Sequence, residues 1–276
     1  MNRGLLGLAF AAALGLLGYG LYRFSLHAGE QPIPAIVTRS DDPHRTVSAA
    51  FDARISRALA RERAPDAARG NAKLVALTFD DGPYPLETPL LLDELSDLHV
   101  RATFFLIGND ALEYPLLAER IAREGHEIAN HTLTHPEHFE NLAAADVMAE
   151  LAGGARILER YSNDPAIRTM MRPPHGRYSE DTVRAAQRAG YQMILWNDDP
   201  GDWHGSVRSA QLAQHLENDA SAPDIILLHS GRMSTIEMLP QVVDRFRKAG
   251  FTFVTVGEMM QRLPVPVINS PKKMPI

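Results

Sequence analysis

The chain is 276 residues long, 45% hydrophobic and 22% charged, which excludes wholesale disorder, a collagen-like repeat and a multi-span membrane protein. Twenty-eight basic residues against 34 acidic ones give a net charge of −6, so there is no basic excess to attract nucleic acid. Cysteine is absent, which excludes a disulfide scaffold, a thiolate zinc site and a cysteine nucleophile, and leaves eleven histidines as metal ligands or proton carriers.

The first segment, 1–23, contains a charge-free run, GLLGLAFAAALGLLGYGLY (4–22), between Arg3 and Arg23. Nineteen helical residues span about 28 Å, close to the hydrocarbon core of a bilayer. The run reads as a membrane signal-anchor or a cleaved signal peptide. The one tolerable cleavage region, Leu26-His27-Ala28, has a poor residue three places before the cut, so the anchor is preferred. The remainder is then expected outside the cytoplasm, anchored by residues 4–22, or secreted or periplasmic if the run is cleaved. Residues 24–72 read as a linker with Pro32, Pro34 and Pro43, and with a possible short helix over 48–63.

From Lys73 short apolar runs alternate with helical patterns. The runs are LVALTF (74–79), ATFFLI (102–107), EIAN (127–130), MMR (170–172), YQMILW (191–196), DIILLH (224–229) and FTFVTV (251–256). Between them the pattern predicts a helix over 89–98 with Thr88 as N-cap and proline at the first position. A second helix follows Asp110, whose spacing to Glu113 matches a capping box, and runs to Gly125. Others are predicted over about 142–161, 180–189, 207–219 and 237–249, with Ser234 and Glu237 repeating the capping-box spacing. Strand, helix, strand in series means parallel strands with right-handed crossovers. About seven strands suggest a distorted (β/α) barrel over 73–263, with an open doubly wound sheet as the alternative. Residues 264–276 read as an irregular tail.

The reactive side chains follow the strands. LVALTF runs into Asp80 and Asp81, EIAN into His131 and His135, MMR into Arg172 and His175, YQMILW into Asp199, Asp202 and Trp203, and DIILL into His229. Parallel strands deliver their C-terminal ends to one face, where catalytic loops converge. Adjacent Asp80 and Asp81 should point in different directions, one to a metal and one to substrate, although Asp-Gly-Pro is also ordinary turn chemistry. His131 and His135 stand at i, i+4, which would place both imidazoles on one face of a helical turn. Two histidines and an aspartate form an N,N,O set for a divalent ion. Zinc leads, and cobalt, nickel or manganese are possible. Arg172 could pair with a carboxylate, and Asp202 could hold His229 protonated. His27, His44, His99, His126, His138 and His215 stand in no constellation, and His204 sits beside Trp203.

In this order TFDDGP (78–83), HTLTH (131–135), RPPHG (172–176), DPGDW (199–203) and LLH (227–229) resemble the polysaccharide deacetylase family, metal-dependent carbohydrate esterases related to nodulation-type chitooligosaccharide deacetylases. The resemblance covers about 73–260 and implies a distorted (β/α) barrel. It implies Asp80 as catalytic base, Asp81, His131 and His135 as metal ligands, and Arg172 as the tether of the base. It further implies His229 as general acid with Asp202 as its partner, and Trp203 and Leu227 bordering the acetyl methyl group. The family usually has tyrosine where this chain has His175, and its backbone N–H there helps hold the oxyanion. The implied activity is N-deacetylation of N-acetylglucosamine residues in an envelope or exported polysaccharide, by a water activated at the metal. The alternatives are an O-acetyl esterase on an acetylated polysaccharide and a catalytically idle carbohydrate-binding domain. The expected partners are an acetylated glycan and, through the N-terminal helix, a membrane; no nucleic acid is expected.

Overall fold

The computed structural model describes residues 73–219 and 222–262. The anchor or signal helix, the 24–72 linker and the 264–276 tail lie outside them. No helix among the described residues is long and apolar enough to cross a membrane.

Seven parallel strands are present: β1 (Lys73–Asp80), β2 (Thr103–Leu106), β3 (Glu127–Asn130), β4 (Met170–Met171), β5 (Gln192–Met193), β6 (Asp224–His229) and β7 (Phe251–Phe253). They lie in the order β5-β4-β3-β2-β1-β6, and β7 pairs with the first three residues of β1. The segment after β5 reaches β6 through a parallel bridge between Asp198 and Ile226, so the sheet curls back on itself. This is a distorted barrel rather than an open doubly wound sheet. The central strands are apolar runs because both of their faces are covered, whereas Thr252 of β7 is exposed.

Alternation along the strands sorts the core. Val75, Leu77 and Phe79 pack with Phe104, Ile128, Ile226 and Leu228 under the outer helices. Leu74 and Ala76 pack with Phe105, Ala129, Ile225 and Leu227 inside the barrel. Side chains two apart share a face, so Thr78 and Asp80 continue the interior row upward from Ala76, and His229 continues it from Leu227. The register sets Asp80 opposite His229.

The helices are α1 (Glu87–Asp97), α2 (Gly108–Glu113), α3 (Pro115–Arg123), α4 (Ala144–Leu158), α5 (Ala166–Thr169), α6 (Glu180–Arg188), α7 (Ser209–Asp219), α8 (Met233–Lys248) and α9 (Val256–Arg262). Three expected caps are corrected. Thr88 lies inside α1, where its buried hydroxyl accepts from Tyr84 N–H at 2.8 Å. Asp110 lies inside α2, and the expected single helix to Gly125 breaks at Pro115, which has no N–H to continue the ladder. Ser234 is within α8, which begins earlier, at Met233. The capping box that does form joins Ser179 to Thr182 at the start of α6.

Candidate active site

Asp80 closes β1 at the top of the barrel interior. Its Oδ1 accepts from Arg172 Nη1 at 2.6 Å. The same Nη1 donates to Thr78 Oγ1 at 2.8 Å, while Nε and Nη2 donate to the carbonyls of Ile194 and Leu195, each at 3.2 Å. The guanidinium carbon lies 4.1 Å from the centre of the Phe105 ring. Arg172 is fully buried, not exposed on a rigid connection. Burial of such a charge is tolerable because every guanidinium nitrogen has an acceptor. Lending two carbonyls to it also explains why the YQMILW run yields only a two-residue strand: Ile194 and Leu195 turn inward to Arg172.

Asp81, His131 and His135 offer one ligand atom each, all within 4.8 Å of one another. Asp81 Oδ1 is 3.5 Å from His131 Nε2 and 3.4 Å from His135 Nε2. His131 Nδ1 is 2.9 Å from the carbonyl oxygen of Arg172. A carbonyl only accepts, so Nδ1 carries a proton, and Nε2 is the ring nitrogen that faces the Asp81 carboxylate. Two imidazole nitrogens and a carboxylate oxygen gathered this closely are a set of the kind that holds a cation. The donor chemistry therefore fits a divalent ion.

One local expectation is corrected. His131 and His135 do not sit on a helical turn: the segment is a loop, with left-handed φ at Thr132 (71°) and His135 (54°). Asp80 and Asp81 line one cleft but meet different partners, Asp80 the Arg172 guanidinium and Asp81, at a left-handed φ of 66°, the two imidazoles. Of the five non-glycine residues with positive φ among those described, four (Asp81, Thr132, His135 and His175) are at this site. Strain of about 1–3 kcal/mol per residue persists only where surroundings enforce it.

His229 ends β6. Its Nδ1 lies 2.7 Å from Asp202 Oδ1, and its N–H donates to Asp202 Oδ2 at 2.8 Å. Thr235 Oγ1 donates to the same Oδ2 at 2.6 Å. Burial opposes a charge on the imidazole, but the Asp202 hydrogen bond and charge, with the charges of Asp80 and Asp81, push its pKa up to about 9. The cleft, about 660 Å³, is lined by Asp80, Asp81, His131, His135 and His229, and by His175, Trp203 and Leu227. Arg172 and Asp202 lie behind this surface and hold side chains that reach it. Asp199, Arg177 and Arg232 also line it. His204 stacks on Trp203, with ring centres 3.6 Å apart.

Several residues that hold the site were not read from the sequence. Glu150 of α4 accepts from the N–H groups of Leu133 (3.0 Å) and Thr134 (2.9 Å) and from the Thr134 hydroxyl (2.9 Å). Asn130 Oδ1 accepts from Thr132 N–H at 2.8 Å. Gly153 and Gly154 let this loop lie directly on α4: a Cβ at Gly154 would meet Asn130 Oδ1 at 2.7 Å and the Thr132 carbonyl oxygen at 2.9 Å. Nothing in local spacing marks these contacts.

A curled parallel barrel with an arginine-held carboxylate, an aspartate-held histidine and an Asp-His-His cluster at its strand ends defines an α/β-barrel enzyme with acid–base groups and a candidate metal centre. Residues 67–194 match the polysaccharide deacetylase family. The chain is 36% identical over 197 residues to a peptidoglycan-N-acetylglucosamine deacetylase of Bacillus cereus, covering 69% of this chain and 90% of that protein. It is 38% identical over 160 residues to a chitooligosaccharide deacetylase of Sinorhizobium fredii, covering 58% of this chain and 73% of that one. A solved peptidoglycan N-acetylglucosamine deacetylase, in complex with 4-naphthalen-1-yl-N-oxidanyl-benzamide, superposes with a TM-score of 0.65 at 33% identity, covering 69% of this chain and 89% of the other. The chain belongs to the polysaccharide deacetylase family, hydrolases of acetylated polysaccharides.

The close approach at Gly154 sets two effects against each other. Alanine there gains about 1 kcal/mol of helix propensity but loses about 1–3 kcal/mol to overpacking against fixed backbone. Gly154→Ala is expected to lower the urea midpoint. An unchanged or higher midpoint would mean that the histidine loop moves aside freely.

Proposed function

We propose that this chain is a metal-dependent N-deacetylase acting on N-acetylglucosamine residues of an envelope or exported polysaccharide. The named relatives support the substrate class, and the charge-free run at 4–22 supports an extracytoplasmic, membrane-anchored location beside such a glycan. Asp81, His131 and His135 would hold the ion, a set suited to zinc and open to cobalt, nickel or manganese. When bound, such an ion polarises a carbonyl and lowers the pKa of water.

Asp80 serves as the base. Arg172 occupies its Oδ1, and its Oδ2 is left beside the triad, 3.9 Å from His131 Nε2. There it takes the proton of the attacking water. The N–H of His175 is not used by the hydrogen bonds of its own turn, which run from Gly176 to Pro173 and from Arg177 to Pro174. It is the donor proposed for the oxygen that gains charge as the acetyl carbonyl is attacked. His229 gives its proton to the leaving nitrogen. Trp203 and Leu227 border the acetyl methyl group.

The observation that carries the reading is the Asp202–His229 pair in the same cleft as Asp80 and the triad. An amine is a poor leaving group and needs an acid that is still protonated at neutral pH. A histidine raised to about 9 meets that need. Because the folded value lies above the ordinary 6.5, the pair's contribution to stability is complete below that pH and is lost as pH rises through about 9.

The full chain loaded with zinc is expected to release acetate from N-acetylglucosamine oligomers, and chelator-stripped chain to release none until zinc is restored. Release only from O-acetylated glycan would establish the esterase instead. Asp80→Asn is expected to lower turnover about 10²–10⁴-fold with zinc still bound; near-normal turnover would remove Asp80 from the base role. In Asp202→Asn, burial is no longer opposed by the carboxylate. The alkaline limb of the kcat profile is expected to move down from about 9, and an unmoved limb would show that His229 is not the acid.

A further inference from the structure

The two histidines of the triad are held in different ways. His131 is almost fully buried, and its second ring nitrogen is fixed by the Arg172 carbonyl at 2.9 Å. His135 is more open, with 20% of its side chain accessible, and its Nδ1 has no hydrogen-bond partner among the described residues. A histidine that ligates a metal ordinarily donates its other N–H to a fixed acceptor, which sets the plane of its ring. His135 lacks that device. Its ring lies instead between two others. The His131 ring is on one side, 4.8 Å between centres, and the His175 ring meets it edge-on, 4.7 Å between centres and 73° between planes.

His175 is itself held. Its Nε2 lies 3.2 Å from Glu137 Oε2. Arg177 ties the same glutamate, donating from Nη1 to the Glu137 carbonyl oxygen at 3.2 Å. The left-handed backbone at His175 (56°) lies on the turn Pro174–Gly176, which follows the rigid Pro173. Gly176 backs that turn against Trp196, where a Cβ would come within 2.6 Å of the indole. Glu137 follows His135 by two residues, so the contact joins the histidine loop to the loop after β4.

We propose that His175 is a positioning residue for the metal centre: its ring, set by the turn Pro174–Gly176 and met from the solvent side by Glu137, wedges His135 into its ligating orientation in place of a hydrogen bond. The inference rests on the reading of Asp81, His131 and His135 as metal ligands.

The test is zinc affinity of the full chain, by competition with a chromogenic chelator, for the unaltered protein and for His175→Ala, His175→Tyr, Glu137→Ala and His131→Ala. His175→Ala is expected to weaken zinc binding about 10-fold or more, Glu137→Ala to weaken it less, and His175→Tyr to restore it because an aromatic edge returns. His131→Ala is expected to lose zinc altogether. In the cobalt-loaded chain the visible absorption bands are expected to shift in His175→Ala and not in Met148→Ala, an exposed substitution on α4. Zinc affinity and cobalt bands unchanged in His175→Ala, with zinc lost in His131→Ala, would overturn the wedge and leave the triad standing. Zinc retained in His131→Ala would overturn the triad itself, and the wedge with it.

Discussion

The Arg172 guanidinium is the constraint around which the upper barrel is built. A fully buried cation must find an acceptor for each nitrogen or the fold cannot carry it. Here the acceptors come from β1 (Thr78 and Asp80) and from the segment after β5 (Ile194 and Leu195), while the arginine's own carbonyl fixes His131 after β3. One side chain thus ties together three parts of the sheet that are remote in sequence. Removing one member of such a pair costs about 3–5 kcal/mol because the partner charge stays buried. The contacts that make the guanidinium tolerable also orient Asp80, and the backbone carbonyl of the same residue holds His131, so the stability of the barrel top and the geometry of the site are one arrangement.

A second arrangement stands on the opposite strand neighbour. Asp80 and His229 face each other in the β1–β6 register, and each has its own buried, oppositely charged partner. One partner is a cation that steadies a carboxylate, the other an anion that keeps an imidazole protonated. Two groups of opposite proton preference are thereby kept a strand apart. After β3 the histidine loop is bent into left-handed conformations against α4, with Glu150 on its backbone N–H groups and Gly153 and Gly154 offering a bare surface. Thr132 and His135 take left-handed φ in the same loop that brings two imidazoles to Asp81, and such conformations persist only where the surroundings enforce them.

Much of this was legible in the chain. Each of the seven apolar runs contains a strand, shorter than the run at β5 and β7, since a strand covered on both faces has to be apolar. The reactive residues fall at strand ends, and parallel topology sends strand ends to one place. The caps at Thr88, Asp110 and Ser234 were misread. Spacing alone does not distinguish a capping hydroxyl from one drawn into a buried contact, as Thr88 is by Tyr84. The i, i+4 spacing of His131 and His135 suggested a helical turn. Spacing carries no information about φ, which here is set by a helix some fifteen residues further along.

The sequence by itself determined the class of fold, the strand ends at which chemistry is carried, and the residue types available there. Without cysteine the candidate ligands had to be histidine and carboxylate. Only the tertiary structure decided how those residues are held: that Arg172 is buried, that Asp80 and Asp81 face one cleft, that Glu150 and two glycines shape the histidine loop, and that His175 reaches His135 with Glu137 behind it. The physical reason is range. Apolar periodicity and turn chemistry are encoded among neighbours along the chain. The partners of a buried charge and the φ of a strained loop depend on surfaces that meet only after the sheet has curled.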